Sequence, residues 1–265
     1  MPSRFSRIVV NSCTIVTIAA PGALIAQDNY EIQVYGSETI PRGVTMFELH
    51  SNYTLDGRRA TELGEYPTNH AVHETLEITH GWNEWSELGF YLFNSKPDGR
   101  SFQWVGTHIR PRVRAPDSWG WPVGVSISQE IGYVRPQFAA DTWTYELRPI
   151  IDKQIGRWYA AVNPVLGKSL RGPSASKPFE FNPNVDLGYD LTKKVNLSLE
   201  YYGVTGTINR IDPIADQEHQ LFYAVNLDLG PAWEFNLGYG TALTGTGDKS
   251  IIKMILGRRV GKGIP

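Results

Sequence analysis

From Gly43 onward the chain falls into segments of about ten residues in which apolar and polar side chains alternate, the period of a strand with two different faces. In the second segment His73, Thr75, Glu77 and Thr79 share one face, while Val72, Leu76 and Ile78 share the other. The third sets Leu88, Phe90 and Leu92 against Glu87, Gly89 and Tyr91. The pattern recurs over residues 45–55, 102–113, 123–133, 142–153, 158–166, 179–189, 195–202, 219–229, 233–240 and 250–260, about 12 strands in all. Short turns are expected at 82–84, 154–157, 192–194 and 230–232, and longer polar loops at 56–69, 168–177, 207–218 and 243–249. Alternating short and long connections predict an all-β fold, a transmembrane up-and-down antiparallel β-barrel with its short turns and both termini on the periplasmic side.

Turn length tests this assignment, because residues paired across a hairpin must point to the same face. A three-residue turn at 82–84 pairs Ile78 with Leu88, Leu76 with Phe90 and Glu77 with Gly89. A three-residue turn at 230–232 pairs Val225 with Leu237 and Asn226 with Asn236. Faces agree in both hairpins. A soluble β-sandwich would alternate too, but Trp143, Trp158, Trp233, Tyr189, Tyr223, Tyr239 and Phe179 recur near the ends of apolar faces, where rings sit at a membrane's polar boundary.

Composition changes the picture at the N-terminus. Arg4 and Arg7 precede a mostly apolar run from Ile8 to Ile25, and Ala26 is followed by Gln27 and Asp28, the layout of a secretory signal peptide over 1–26. The only cysteine, Cys13, lies inside it, so neither disulfide nor thiolate chemistry is expected of the exported chain. Residues 27–42 are expected as a periplasmic N-terminal segment, with a strand or a segment entering the barrel as alternatives. Residues 43–260 form the outer-membrane barrel and 261–265 a C-terminal tail. A net charge of −2 with no basic patch argues against nucleic-acid binding.

If the apolar face meets lipid, the polar face lines a lumen. It carries Glu48, Glu77, Glu87, Glu130, Glu146, Asp152, Glu180, Asp186, Glu200, Asp228 and Glu234, against Arg110, Arg112, Arg148 and Lys253, with His50, His73 and His108 beside them. Such a lumen favours cations or neutral solutes over anions. Glu130 is expected between Arg110 or His108 and Arg148, and such ion pairs could fill a narrow barrel. Short turns set Asp228 opposite Glu234 and Asp186 opposite Glu200, like charges that need solvation, a cation or a proton. No GxSxG or HExxH motif occurs, and His70 and His73 fall on opposite faces of an extended strand, so no catalytic residue, metal ligand or cofactor is assigned.

Residues 45–53 with Glu48 and His50, then 73–85 and 87–92, resemble a loose group of bacterial outer-membrane channels that includes proposed transporters of phenol-degradation (MetA) pathways. The likeness covers about a third of the exported chain. It implies a β-barrel with a transport role and brings no binding residues with it. Three function classes follow: a passive channel for small cationic or neutral solutes, a closed structural or surface-binding barrel, and an outer-membrane hydrolase. The leading reading is a channel and not an enzyme. Its expected partners are outer-membrane lipid, lipopolysaccharide, the barrel-assembly machinery and an unidentified small solute.

Overall fold

A computed structural model describes residues 29–262. The expected export signal and the last three residues of the tail lie outside this range. The strands are β1 (Val44–Asp56), β2 (Val72–Asn83), β3 (Ser86–Lys96), β4 (Gln103–Arg114), β5 (Gly124–Val134), β6 (Trp143–Ile155), β7 (Trp158–Arg171), β8 (Glu180–Asp190), β9 (Val195–Val204), β10 (Gly206–Thr207), β11 (Arg210–Ile211), β12 (Glu218–Leu227), β13 (Trp233–Ala242) and β14 (Ser250–Gly261). β10 and β11 form a small ribbon on the loop after β9. The other 12 pair antiparallel with their chain neighbours, and β1 pairs with β14, so the sheet closes on itself without a free edge.

Closure follows from the two-faced strands. Phe47, Leu49, Phe90, Ile109, Ile127, Ile131, Ile151, Leu187 and Leu237 all point outward and are exposed, while their polar sequence neighbours face inward and are buried or half-buried. An apolar belt around the whole circumference has no place in water. An 11-residue strand such as β3, at about 3.3 Å per residue and a tilt of about 40°, rises about 28 Å, enough to cross a band about 25 Å tall. Rings cluster at its borders: Trp104, Tyr133 and Trp143 in a row near one rim, Trp158 against Tyr189 near the other.

β12 and β13 pair Val225 with Leu237 and Asn226 with Asn236, as expected. β2 and β3 do not: Ile78 meets Phe90, Leu76 meets Leu92 and Glu77 meets Tyr91, two residues from the expected register. A bulge between Gly81 and Asn83 lets the chain turn on Glu84 and Trp85, with Asn83 Oδ1 accepting from the Trp85 N–H at 2.9 Å. A slip of two keeps every side chain on its face, which is why face agreement could not detect it. The β4–β5 connection, at the short-turn end, is longer than its counterparts and holds a 3₁₀ turn, Asp117–Trp119.

Residues 29–42 run through the barrel interior rather than outside it. At Gly43 (φ +74°) the chain reverses into β1 at the short-turn end. At the other extreme Asn29 lies among the long loops, its side chain donating to Asp248 Oδ2 at 2.6 Å. The described chain therefore starts at the end opposite the C-terminus of β14, and residues 29–42 take the course of a segment entering the barrel rather than of one lying outside it. Apolar packing draws it in: Tyr30 joins Tyr91, Phe93, Val105 and Val134 on one wall, and Ile32 joins Tyr202, Phe222 and Ile251 on another. Pro41 and a glycine at 36 suit it poorly to a place in the sheet.

Candidate functional site

β4 sets His108, Arg110 and Arg112 on the inner face, and these organise the mid-lumen. Arg110 reaches Glu77 Oε1 at 2.5 Å and Glu87 Oε1 at 3.2 Å, while Arg112 Nε lies 2.8 Å from the same Glu87 oxygen. Arg110 Nε also donates to the Tyr91 hydroxyl. Glu130 is held by His108 Nδ1, and Arg148 turns to Glu146 on its own strand at 2.6 Å. Only the His108 side of the expected bracket on Glu130 forms, since Arg148 is taken by Glu146 and Arg110 points the opposite way, toward β2 and β3. Across the lumen Lys253 pairs with Glu200, which also accepts from the Tyr202 hydroxyl at 2.5 Å.

Of the eighteen charged and histidine residues read onto the polar face, all but one line or border the interior. The exception is Asp228, which sits beyond the end of β12, exposed in the short turn, where its Oδ1 accepts the Gly230 N–H at 2.8 Å. It does not pair with Glu234, which instead faces Arg259 at 3.6 Å. Asp186 does stand opposite Glu200, but each has its own partner: Ser198 Oγ donates to Asp186, and Lys253 takes Glu200. His73 is buried beside Tyr30, its ring edge-on at 4.8 Å. Asp152 accepts from the Ser37 N–H at 2.9 Å and the Ser37 hydroxyl at 2.6 Å. Glu180 borders the space under the long loops.

Sequence reasoning missed the group around Tyr35. The Tyr35 ring lies beneath three guanidinium groups, those of Arg110, Arg148 and Arg112, at 4.7, 4.9 and 5.6 Å from its centroid. Its hydroxyl is bonded to Glu31 and lies 3.1 Å from the Tyr91 hydroxyl. Asn163 on β7 clamps its backbone from the far wall, donating to Tyr35 O at 2.9 Å and accepting its N–H at 2.8 Å. The alternation of β7 could have placed Asn163 inside. Nothing in the sequence tells that a non-sheet tyrosine would meet it.

The rest of the segment is held the same way, its backbone served by wall side chains. Thr75 donates to Tyr30 O at 2.7 Å, Lys253 to Ile32 O at 3.0 Å, Arg112 to Gly36 O at 3.1 Å, and Glu87 accepts the Ile40 N–H at 2.6 Å. These bonds satisfy buried groups that have no sheet partner. The septum divides the lumen. Under the long loops lies a cavity of about 620 Å³, lined by ten acidic side chains against five Lys or Arg. Below Gly36 and Ser37, bordered by Arg114, Trp121, Asp152 and Tyr159, lies another of about 670 Å³. Among the acids of the upper cavity, Glu65 in the β1–β2 loop has its carboxyl pushed up by burial, against the Ala140 N–H and Arg58 that favour its charge.

No protein-family model and no curated protein sequence matches the chain. Solved structures share its fold. An outer membrane channel from Pseudomonas putida F1 superposes with a TM-score of 0.58 at 11% identity, over 87% of this chain and 100% of that one. The KdgM porin gives 0.53 at 8% identity, over 80% and 98% of the two chains. The NanC porin gives 0.52 at 8% identity, over 82% and 99%.

Proposed function

We propose that this protein is a bacterial outer-membrane channel for small cationic or neutral solutes whose N-terminal segment closes the middle of the lumen at rest. One observation carries the reading: two cavities at opposite ends of one barrel are separated by a single extended segment that is not part of the sheet. A wall strand cannot leave without opening the barrel, whereas residues 29–40 can move while all 12 staves stay paired. The apolar belt meets lipid, the long loops face lipopolysaccharide, and insertion proceeds through the barrel-assembly machinery.

Charge sets the preference. In mid-lumen Arg110, Arg112, Arg148 and Lys253 match Glu77, Glu87, Glu146 and Glu200, and the upper cavity is lined by twice as many acids as Lys or Arg. A mouth of one sign concentrates counter-ions and repels like-charged solutes. The matched mid-lumen also supports a second reading, a permanently filled barrel, since paired charges and a bound segment occupy the cross-section.

Planar bilayers separate the two. The protein without residues 29–40, with folding checked by its heat-modifiable mobility on gels, should conduct more than the intact protein. Under a salt gradient its reversal potential should lie on the cation-selective side. A folded deletion variant as silent as the intact protein would establish the filled barrel, and anion selectivity would overturn the charge argument.

A further inference from the structure

We infer that Glu48, His50 and Glu77 form a binding site for one divalent first-row transition-metal ion on the inner wall of β1 and β2. Their donor atoms lie within 4.8 Å of one another, and all three residues are buried, His50 and Glu77 completely. Nothing in this inference depends on transport.

Register creates the site. Glu48 and Glu77 are direct partners across β1 and β2, and His50 is two residues beyond Glu48 on the same face. Facing carboxylates repel unless a cation or a proton joins them. Glu48 has no Lys or Arg partner among the described residues, since Arg110 is committed to Glu77 and Glu87 and the β14 residue beside Glu48 is Gly257. A side chain at Gly257 would crowd Glu48, its Cβ falling 3.0 Å from Glu48 Cγ.

The donors are oriented for a ligand rather than for each other. Neither ring nitrogen of His50 has a hydrogen-bond partner, and neither does Glu77 Oε2. Buried imidazoles normally satisfy at least one nitrogen, so two bare ones call for an occupant. His50 Nε2 and Glu77 Oε2 are 3.4 Å apart, yet not in hydrogen-bond geometry. Two ligands each about 2.05 Å from a tetrahedral ion stand about 3.3 Å apart. The other oxygen of Glu77 is already engaged by Thr79 at 2.7 Å and Arg110 at 2.5 Å. That is the outer-shell support that fixes a ligating carboxylate and leaves its second oxygen for the metal. One imidazole with two carboxylates suits Zn²⁺, Co²⁺ or Mn²⁺, whereas Ca²⁺ and Mg²⁺ prefer all-oxygen sites. The competing account is a metal-free cluster in which a proton on His50 or between the facing carboxyls relieves the repulsion.

The intact barrel, refolded in detergent with Co²⁺ present so that burial does not block entry, then desalted, tests this. One equivalent of Co²⁺ with visible d–d absorption, displaced by Zn²⁺, is expected. Glu48→Gln and His50→Ala should each weaken binding at least tenfold, whereas Glu180→Gln, in the upper cavity, should leave it unchanged. Glu48→Gln keeps the Arg110 pairs, so its folding is not in question. Wild-type protein that retains no Co²⁺, or metal retained equally by both ligand variants, would overturn the site and leave the metal-free, protonated cluster.

Discussion

Replacing Tyr35 with alanine should loosen the segment that divides the lumen while sparing the barrel wall. Removing a buried ring costs about 3–5 kcal/mol where the surroundings cannot collapse. Collapse is opposed here by the three guanidinium groups over the ring, at 4.7, 4.9 and 5.6 Å, which would lose the ring and stand against one another. If that loss falls on the seated state alone, the displaced population rises about a hundredfold to three-thousandfold, at about 1.4 kcal/mol per factor of ten. Single-channel recording reads this directly as the fraction of time spent conducting. Tyr35→Phe keeps the ring and removes the hydroxyl bonded to Glu31 and near Tyr91, so a smaller rise, from about 1–3 kcal/mol, should follow. A Tyr35→Ala protein with native heat-modifiability and unchanged conducting time would refute the reasoning, because neither the ring nor the segment would then control passage.

Three further outcomes follow from the interior. Arg110→Met strands Glu77 opposite Glu48 and should lower stability by about 3–5 kcal/mol in urea unfolding followed by tryptophan fluorescence, with partial recovery in the Arg110→Met, Glu77→Gln double variant; equal stability of wild type and single variant would show the pair to be idle. Asp248→Ala removes the acceptor for Asn29, Thr68 and the Arg58 N–H, and hydrogen exchange in residues 29–33 should quicken; unaltered exchange would mean that packing alone anchors the segment. Gly132→Ala should reduce the yield of folded barrel, because a Cβ there would fall 1.9 Å from the His108 ring, which Glu130 holds in place; a normal yield would show that the ring can swing aside.

The strands, their inner and outer faces and the β12–β13 register could all be read in advance, because period-two alternation and turn length act within a few residues of each other. The inner placement of Glu48, His50, Glu77, Glu87, His108, Arg110 and Arg112 followed from the same local rule. Tertiary structure alone decided which of these groups meet. An arginine side chain is long enough to serve either neighbouring strand. Arg110 turned to β2 and β3, where two carboxylates and the Tyr91 hydroxyl converge, leaving Glu130 to His108. The β2–β3 register moved by two because a bulge at Gly81 and Asn83 leaves alternation intact. Residues 29–42 have no ladder to announce them. Their course depends on apolar patches and bare hydrogen-bonding groups contributed by many separate strands, from Asn163 on β7 to Lys253 on β14. The pattern along the chain thus determined a barrel with a polar interior, and only its closure decided that the interior would be divided and where its charges would stand.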